Sequence, residues 1–164
     1  MLRPAPIVIL MADDDEDDIL LTQKALQKGR LLNTLYSVQD GEELLDYLLR
    51  RGNYTDPEKA PRPGIILLDL NMPRKDGREA LKEIKRHEEL RDIPIVVFTT
   101  SKAEEDIYRT YALGVSSFIT KPVTFETLIE VMQTLEKYWF EIVTLPPDTK
   151  RETYGSTFDQ NPAH

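Results

Sequence analysis

Five short apolar runs alternate with longer amphipathic segments along the chain, and that rhythm leaves few folds open. Residues 7–12 (IVILMA) read as a buried strand and 17–28 as a helix stopped by Gly29. Leu35–Val38 is a weaker strand, followed by an Asp40-Gly41 turn and a helix over 42–51 with Leu44, Leu45 and Leu48 at helical spacing. Residues 65–70 (IILLDL) are nearly all apolar, as in a central parallel strand covered on both faces. A helix over 78–87, a strand over 93–100, a helix over 104–113 ended by Gly114, a short strand over 116–120 and a long helix from Thr124 complete the pattern. The expected fold is α/β: a doubly wound, five-stranded parallel sheet with right-handed crossovers and helices on both faces. Residues 52–64 hold three prolines and no periodicity, so they form a loop of the length that marks function or mobility.

In such sheets the ligand crevice lies at the carboxyl ends of the strands. Asp13 and Asp14 end the first strand, Asp69 the third, Thr99 and Thr100 the fourth, and Lys121 follows the fifth, so all should meet at one edge. Asp69 alone could be a cap or a solvated strand end. Three carboxylates in one crevice cannot stay ionised together without a cation, and hard oxygen donors select Mg²⁺. Lys121 precedes Pro122, and a cis Lys-Pro peptide would aim the ammonium into the crevice, ready for a phosphoryl group. Thr99 adds a hydroxyl there. Residues 15–18, the rest of the acidic run, are expected at the first helix N-terminus, where the macrodipole favours negative charge, and not as ligands.

The net charge of −8 argues against direct nucleic-acid binding, which demands clustered Lys and Arg. The absence of cysteine excludes disulfides, thiolate catalysis and cysteine-based zinc sites. The N-terminal apolar run is too short and too acid-flanked for a signal peptide, and nothing approaches the roughly 20 apolar residues of a membrane span. A cytoplasmic protein is expected.

The segments ADDDEDD, LLDLNMPRKDG, FTTSKAEED and FITKP, with a 22-residue step from Thr99 to Lys121, closely resemble the receiver domain of two-component response regulators over roughly residues 5–140. The resemblance implies a flavodoxin-like sheet and a phosphoacceptor signalling protein, not an enzyme acting on a separate substrate. Asp69 would be the acceptor. Asp14 would ligate Mg²⁺ directly, Asp13 directly or through water, and Asn71 through its backbone carbonyl. Thr99 and Lys121 would contact the aspartyl phosphate. Phe118 falls at an aromatic switch position, as Phe where Tyr is commoner, and Asn71 and Ser101 at positions that tune dephosphorylation. The surface that changes on activation would be the fourth helix, fifth strand and fifth helix. A haloacid-dehalogenase-type phosphatase would need a second acid where Asn71 stands, and no GxxxxGK or GxGxxG marks a nucleotide site. The alternative is a receiver-like binding module that works unphosphorylated.

The receiver is expected over 5–145, with a polar tail over 146–164 and no effector domain, so output would run through protein contacts. In the last helix Phe125, Leu128, Met132, Leu135 and Trp139 form a sheet-facing stripe. Val131, Tyr138 and Ile142 form a second stripe, which suggests a homodimer through this helix and the tail. The 52–64 loop and the KYWFEIVTLP ending are similar to single-domain regulators paired with bacterial phytochrome histidine kinases, which would make such a kinase the partner.

Overall fold

The computed structural model describes residues 6–137. Its strands are β1 (Ile9–Ala12), β2 (Leu35–Val38), β3 (Ile65–Leu68), β4 (Ile95–Thr99) and β5 (Ser117–Thr120). Its helices are α1 (Glu16–Lys28), α2 (Gly41–Leu49), α3 (Gly77–Arg86), α4 (Glu104–Ala112) and α5 (Phe125–Leu135). The strands pair in parallel in the order β2-β1-β3-β4-β5, the expected doubly wound sheet.

Strand alternation splits the core in two. Leu10, Ala12, Ile66, Leu68, Ile95 and Val97 face one side, where Leu44 and Leu45 of α2 and Ala80, Leu81 and Ile84 of α3 cover them. Ile9, Met11, Ile65, Leu67, Val96 and Phe98 face the other, under Ala25 and Leu26 of α1 and Leu128, Met132 and Leu135 of α5. Both faces of β1, β3 and β4 are therefore dry, which is why their sequences show apolar runs instead of alternation.

Side-chain caps set the helix starts. Asp15, Asp40, Asp76 and Thr124 each accept a backbone N–H from the first turn of α1, α2, α3 and α5. α4 has Ala103 at its cap and no side-chain capping bond, and Thr110 is its one buried residue. Gly41 and Gly77 are there for space. A Cβ at Gly41 would lie 2.2 Å from the Lys75 carbonyl oxygen, and one at Gly77 would lie 2.1 Å from that of Asp69.

Several expectations shift. The strands end earlier than the apolar runs, so Asp13, Asp14, Asp69 and Leu70 belong to loops. At the end of α1 the left-handed residue is Arg30, φ 59°, whereas Gly29 stays helical. The Lys121–Pro122 peptide is trans, and the described residues contain no cis peptide. The Lys121 N–H bonds the Thr99 carbonyl at 2.8 Å, carrying the ladder one residue past β5, and the side chain reaches the acidic cluster with the peptide trans. The 52–64 loop is anchored: the Tyr47 hydroxyl donates to the Pro61 carbonyl at 2.8 Å, the Tyr54 hydroxyl donates to Glu43, and Ala60 is buried. Trp139, Tyr138, Ile142 and the 146–164 tail lie outside the described residues.

Leu81→Ala should lower stability by about 2–5 kcal/mol, because the buried α3–sheet contact would leave a cavity. Leu32→Ala, at a side chain 79% exposed, should stay within about 0.5 kcal/mol. Urea melts of both variants check the pair.

Candidate functional site

The carboxyl ends of β1, β3, β4 and β5 converge as the topology demands. A carboxylate oxygen from each of Asp13, Asp14 and Asp69 falls within 4.8 Å of the others, with Asp13 and Asp69 buried and Asp14 exposed. The Lys121 ammonium lies 2.6 Å from Asp13 Oδ2, 2.8 Å from Asp18 Oδ2 and 3.5 Å from Asp69 Oδ2. The Thr99 hydroxyl donates to Asp69 Oδ1 at 2.7 Å, and the Asn71 N–H approaches the same oxygen at 3.3 Å. Oδ1 is thus occupied by donors while Oδ2 is turned toward Lys121.

Electrostatics divides these groups. Burial pushes the Asp13 carboxyl up to about 6, even though the Lys121 ammonium and the Asp15 N–H favour its charged form. Burial would likewise lower the Lys121 ammonium, but Asp13 and Asp18, with Asp69 behind them, outweigh it and raise it. Asp13 Oδ2 is fully buried, and the Lys121 ammonium at 2.6 Å is its charged partner. Three carboxylates, those of Asp13, Asp18 and Asp69, surround one ammonium and Asp14 adds a fourth to the crevice, so the negative excess and the clustered hard donors fit a divalent cation.

The sequence-predicted residues Asp13, Asp14, Asp69, Asn71, Thr99 and Lys121 all lie at this edge. Thr100, also expected at this edge, is exposed. Phe118 is half-buried against the α2–α3 side of the core, and its N–H donates to the Tyr111 hydroxyl of α4 at 3.1 Å. Val131 is half-buried against the α1–α5 side of the core. Asp18 was expected to serve only the helix terminus, yet it pairs with Lys121. The signal was present: Asp18 precedes Thr22, Ala25 and Leu26 by 4, 7 and 8 positions, so it belongs to the buried stripe of α1. Arg78 and Asp106, joined across the site's rim, were not anticipated.

A five-stranded receiver sheet carrying this acidic crevice, threonine and lysine defines the class, and a family model described as the response regulator receiver domain matches residues 9–133. The chain belongs to that family. It is 42% identical to the response regulator Rcp1 of Synechocystis sp., over 86% of this chain and 94% of Rcp1. The crystal structure of the phosphorylated cyanobacterial phytochrome response regulator RcpA superposes with a TM-score of 0.80 at 40% identity, covering 87% of this chain and all of RcpA (100%). The Mn²⁺-bound form of Rcp1 gives 0.77 at 42% identity, covering 87% of this chain and 100% of that one. Receiver-domain regulators are signalling proteins that bind divalent metal, and this chain carries the donor set for one.

The Asp13 carboxyl holds its proton to about pH 6 when folded but to 3.8 when unfolded. Stability of the metal-free protein should therefore fall as pH rises through that window, by at most about 3 kcal/mol. Asp13→Asn should flatten this decline and raise metal-free stability at neutral pH by about 1–3 kcal/mol. Urea melts in EDTA across the pH range check it.

Proposed function

We propose that this chain accepts a phosphoryl group from a histidine kinase on Asp69, with Mg²⁺ as the metal, and passes the signal on through protein contacts. The observation that carries the reading is the convergence on Asp69 of a hydroxyl at 2.7 Å and an ammonium at 3.5 Å beside the Asp13–Asp14 pair. An Asp69 oxygen attacks phosphorus as the bond from phosphorus to the imidazole nitrogen, or to an acyl oxygen, breaks and its electron pair leaves with that group. Lys121 and Thr99 hold the transferred group through a cation and a hydrogen-bond donor, so no separate base is needed. Asp13, Asp14, Asp69 and the Asn71 carbonyl would hold Mg²⁺, which when bound would neutralise charge on the phosphoryl oxygens. Phosphorylation then biases Thr99 and Phe118, and with them the α4–β5–α5 surface, as a population shift.

The likeness to Rcp1 and RcpA over nearly their whole lengths supports a phytochrome-type histidine kinase as the cognate partner, in the cytoplasm. The receiver takes in residues 5–145, and 146–164 is a tail. Self-association of two copies through α5 belongs to the same proposal, although Val131 is half-buried against the core and Tyr138, Ile142 and residues 146–164 lie outside the described residues.

Intact-mass measurement after incubation with acetyl phosphate and Mg²⁺ should show one added phosphoryl on the wild type, none on Asp69→Asn and none in EDTA. An unlabelled wild type, also unlabelled by a phosphorylated bacteriophytochrome kinase, would favour a phosphorylation-independent binding module. Sedimentation of the full chain at tens of micromolar should report a dimer, and a monomer with and without beryllofluoride would defeat the self-association.

A further inference from the structure

Beyond the acidic crevice, one guanidinium ties together the loop that carries Asp69 and the loop that follows Thr99. Arg78, in the first turn of α3, donates from Nε and Nη2 to the two carboxylate oxygens of Asp106, both at 2.7 Å. Its Nη1 reaches the Leu70 carbonyl at 3.3 Å, an oxygen that also accepts the Gly77 N–H at 3.0 Å. Asp106, in the first turn of α4, accepts the Ser101 hydroxyl at 2.6 Å, and the Ser101 N–H approaches Thr99 Oγ1 at 3.4 Å. Thr99 then donates to Asp69 Oδ1 at 2.7 Å, and Asp69 is bonded to Leu70. The contacts close a ring: Asp69, Leu70, Arg78, Asp106, Ser101, Thr99 and back to Asp69.

We infer that Arg78 is a positioning residue for phosphoryl transfer to Asp69, acting through Asp106 and Ser101 on the Thr99 hydroxyl and through the Leu70 carbonyl on the acceptor's own turn. The inference rests on Asp69 being the acceptor. An exposed ion pair contributes little, but this one is a two-bonded fork whose carboxylate is only 14% exposed. Arg78 and the Ser101 hydroxyl hold the Asp106 carboxyl down at about 2, so the fork stays charged at any working pH. It also secures the start of α4, which lacks a side-chain cap. Lysine, a point charge on a flexible stem, cannot span both oxygens and the Leu70 carbonyl. Loosening the ring lets the Thr99 hydroxyl wander from the line between Asp69 and the incoming group, where small displacements are costly.

The test compares full-length wild type, Arg78→Lys, Asp106→Asn and the double variant by rate of labelling with acetyl phosphate at saturating Mg²⁺. Mg²⁺ affinity and thermal midpoint are followed in parallel. Each single change should slow labelling about tenfold while Mg²⁺ affinity stays within about twofold, and the double should be no slower than either single. Asp106→Asn keeps the shape of the side chain and carries the test if Arg78→Lys folds poorly. Labelling at the wild-type rate, or losses that multiply in the double variant, would reduce Arg78 to a fastener of α3 and α4. An unlabelled wild type would overturn the acceptor reading and this inference with it.

Discussion

Charge confinement at the top of the sheet governs this structure. Backbone hydrogen bonding between β1 and β3 forces Asp13 and Asp69 together whatever their mutual repulsion, because the Asp69 N–H bonds the Ala12 carbonyl at 2.9 Å. Helix α1 then brings Asp18 down onto the same spot. Lys121, just past β5, is the cation in direct contact with this concentration. The crevice is thus expensive by construction: its walls are stabilised by two dry cores, and its contents are not. Such stored electrostatic cost is what makes a site responsive to a cation and to a transferred anion.

The two halves of the sheet differ in how firmly they are built. β1, β3 and β4 are buried throughout, whereas β5 is half-exposed and ends in exposed Thr120. α4 buries one residue and leaves Tyr108 79% exposed. The strand that delivers Lys121 and the helix that receives the Arg78 fork therefore belong to the more weakly packed side. Local opening draws on regions of this kind, with few buried apolar contacts. The Tyr111 hydroxyl, bonded to the Phe118 N–H on the outer edge of β5, joins the two elements.

Much of this was legible in the sequence because two periodicities agreed. The runs at 7–12, 65–70 and 93–100 read as buried strands, and a parallel sheet sends their C-terminal residues to one edge. Asp13, Asp14, Asp69, Thr99 and Lys121 followed from that rule alone. What stayed hidden depended on side chains reaching between elements distant in sequence. The Arg78–Asp106 fork spans 28 positions and the Lys121–Asp18 pair 103, so the buried stripe of α1 could turn Asp18 inward but no local pattern names either pair's partner. Asp18 was masked by its own context, since any acid in a helix's first turn has a sufficient local explanation in the macrodipole. The turn ending α1 misled for a related reason. Glycine usually takes the left-handed position, but here the chain turns one residue later, at Arg30.

Gly77 carries an implication for anyone wishing to re-engineer this switch. With a Cβ there only 2.1 Å from the Asp69 carbonyl oxygen, no side chain can enter from the α3 side without moving the backbone of Asp69. Asn71, by contrast, is exposed and Ser101 half-exposed on the open side of the crevice. Substitutions around the crevice are sterically admitted at those two positions and excluded at the glycine. The geometry divides the rim into a face that can be rewritten and a face that is structurally closed.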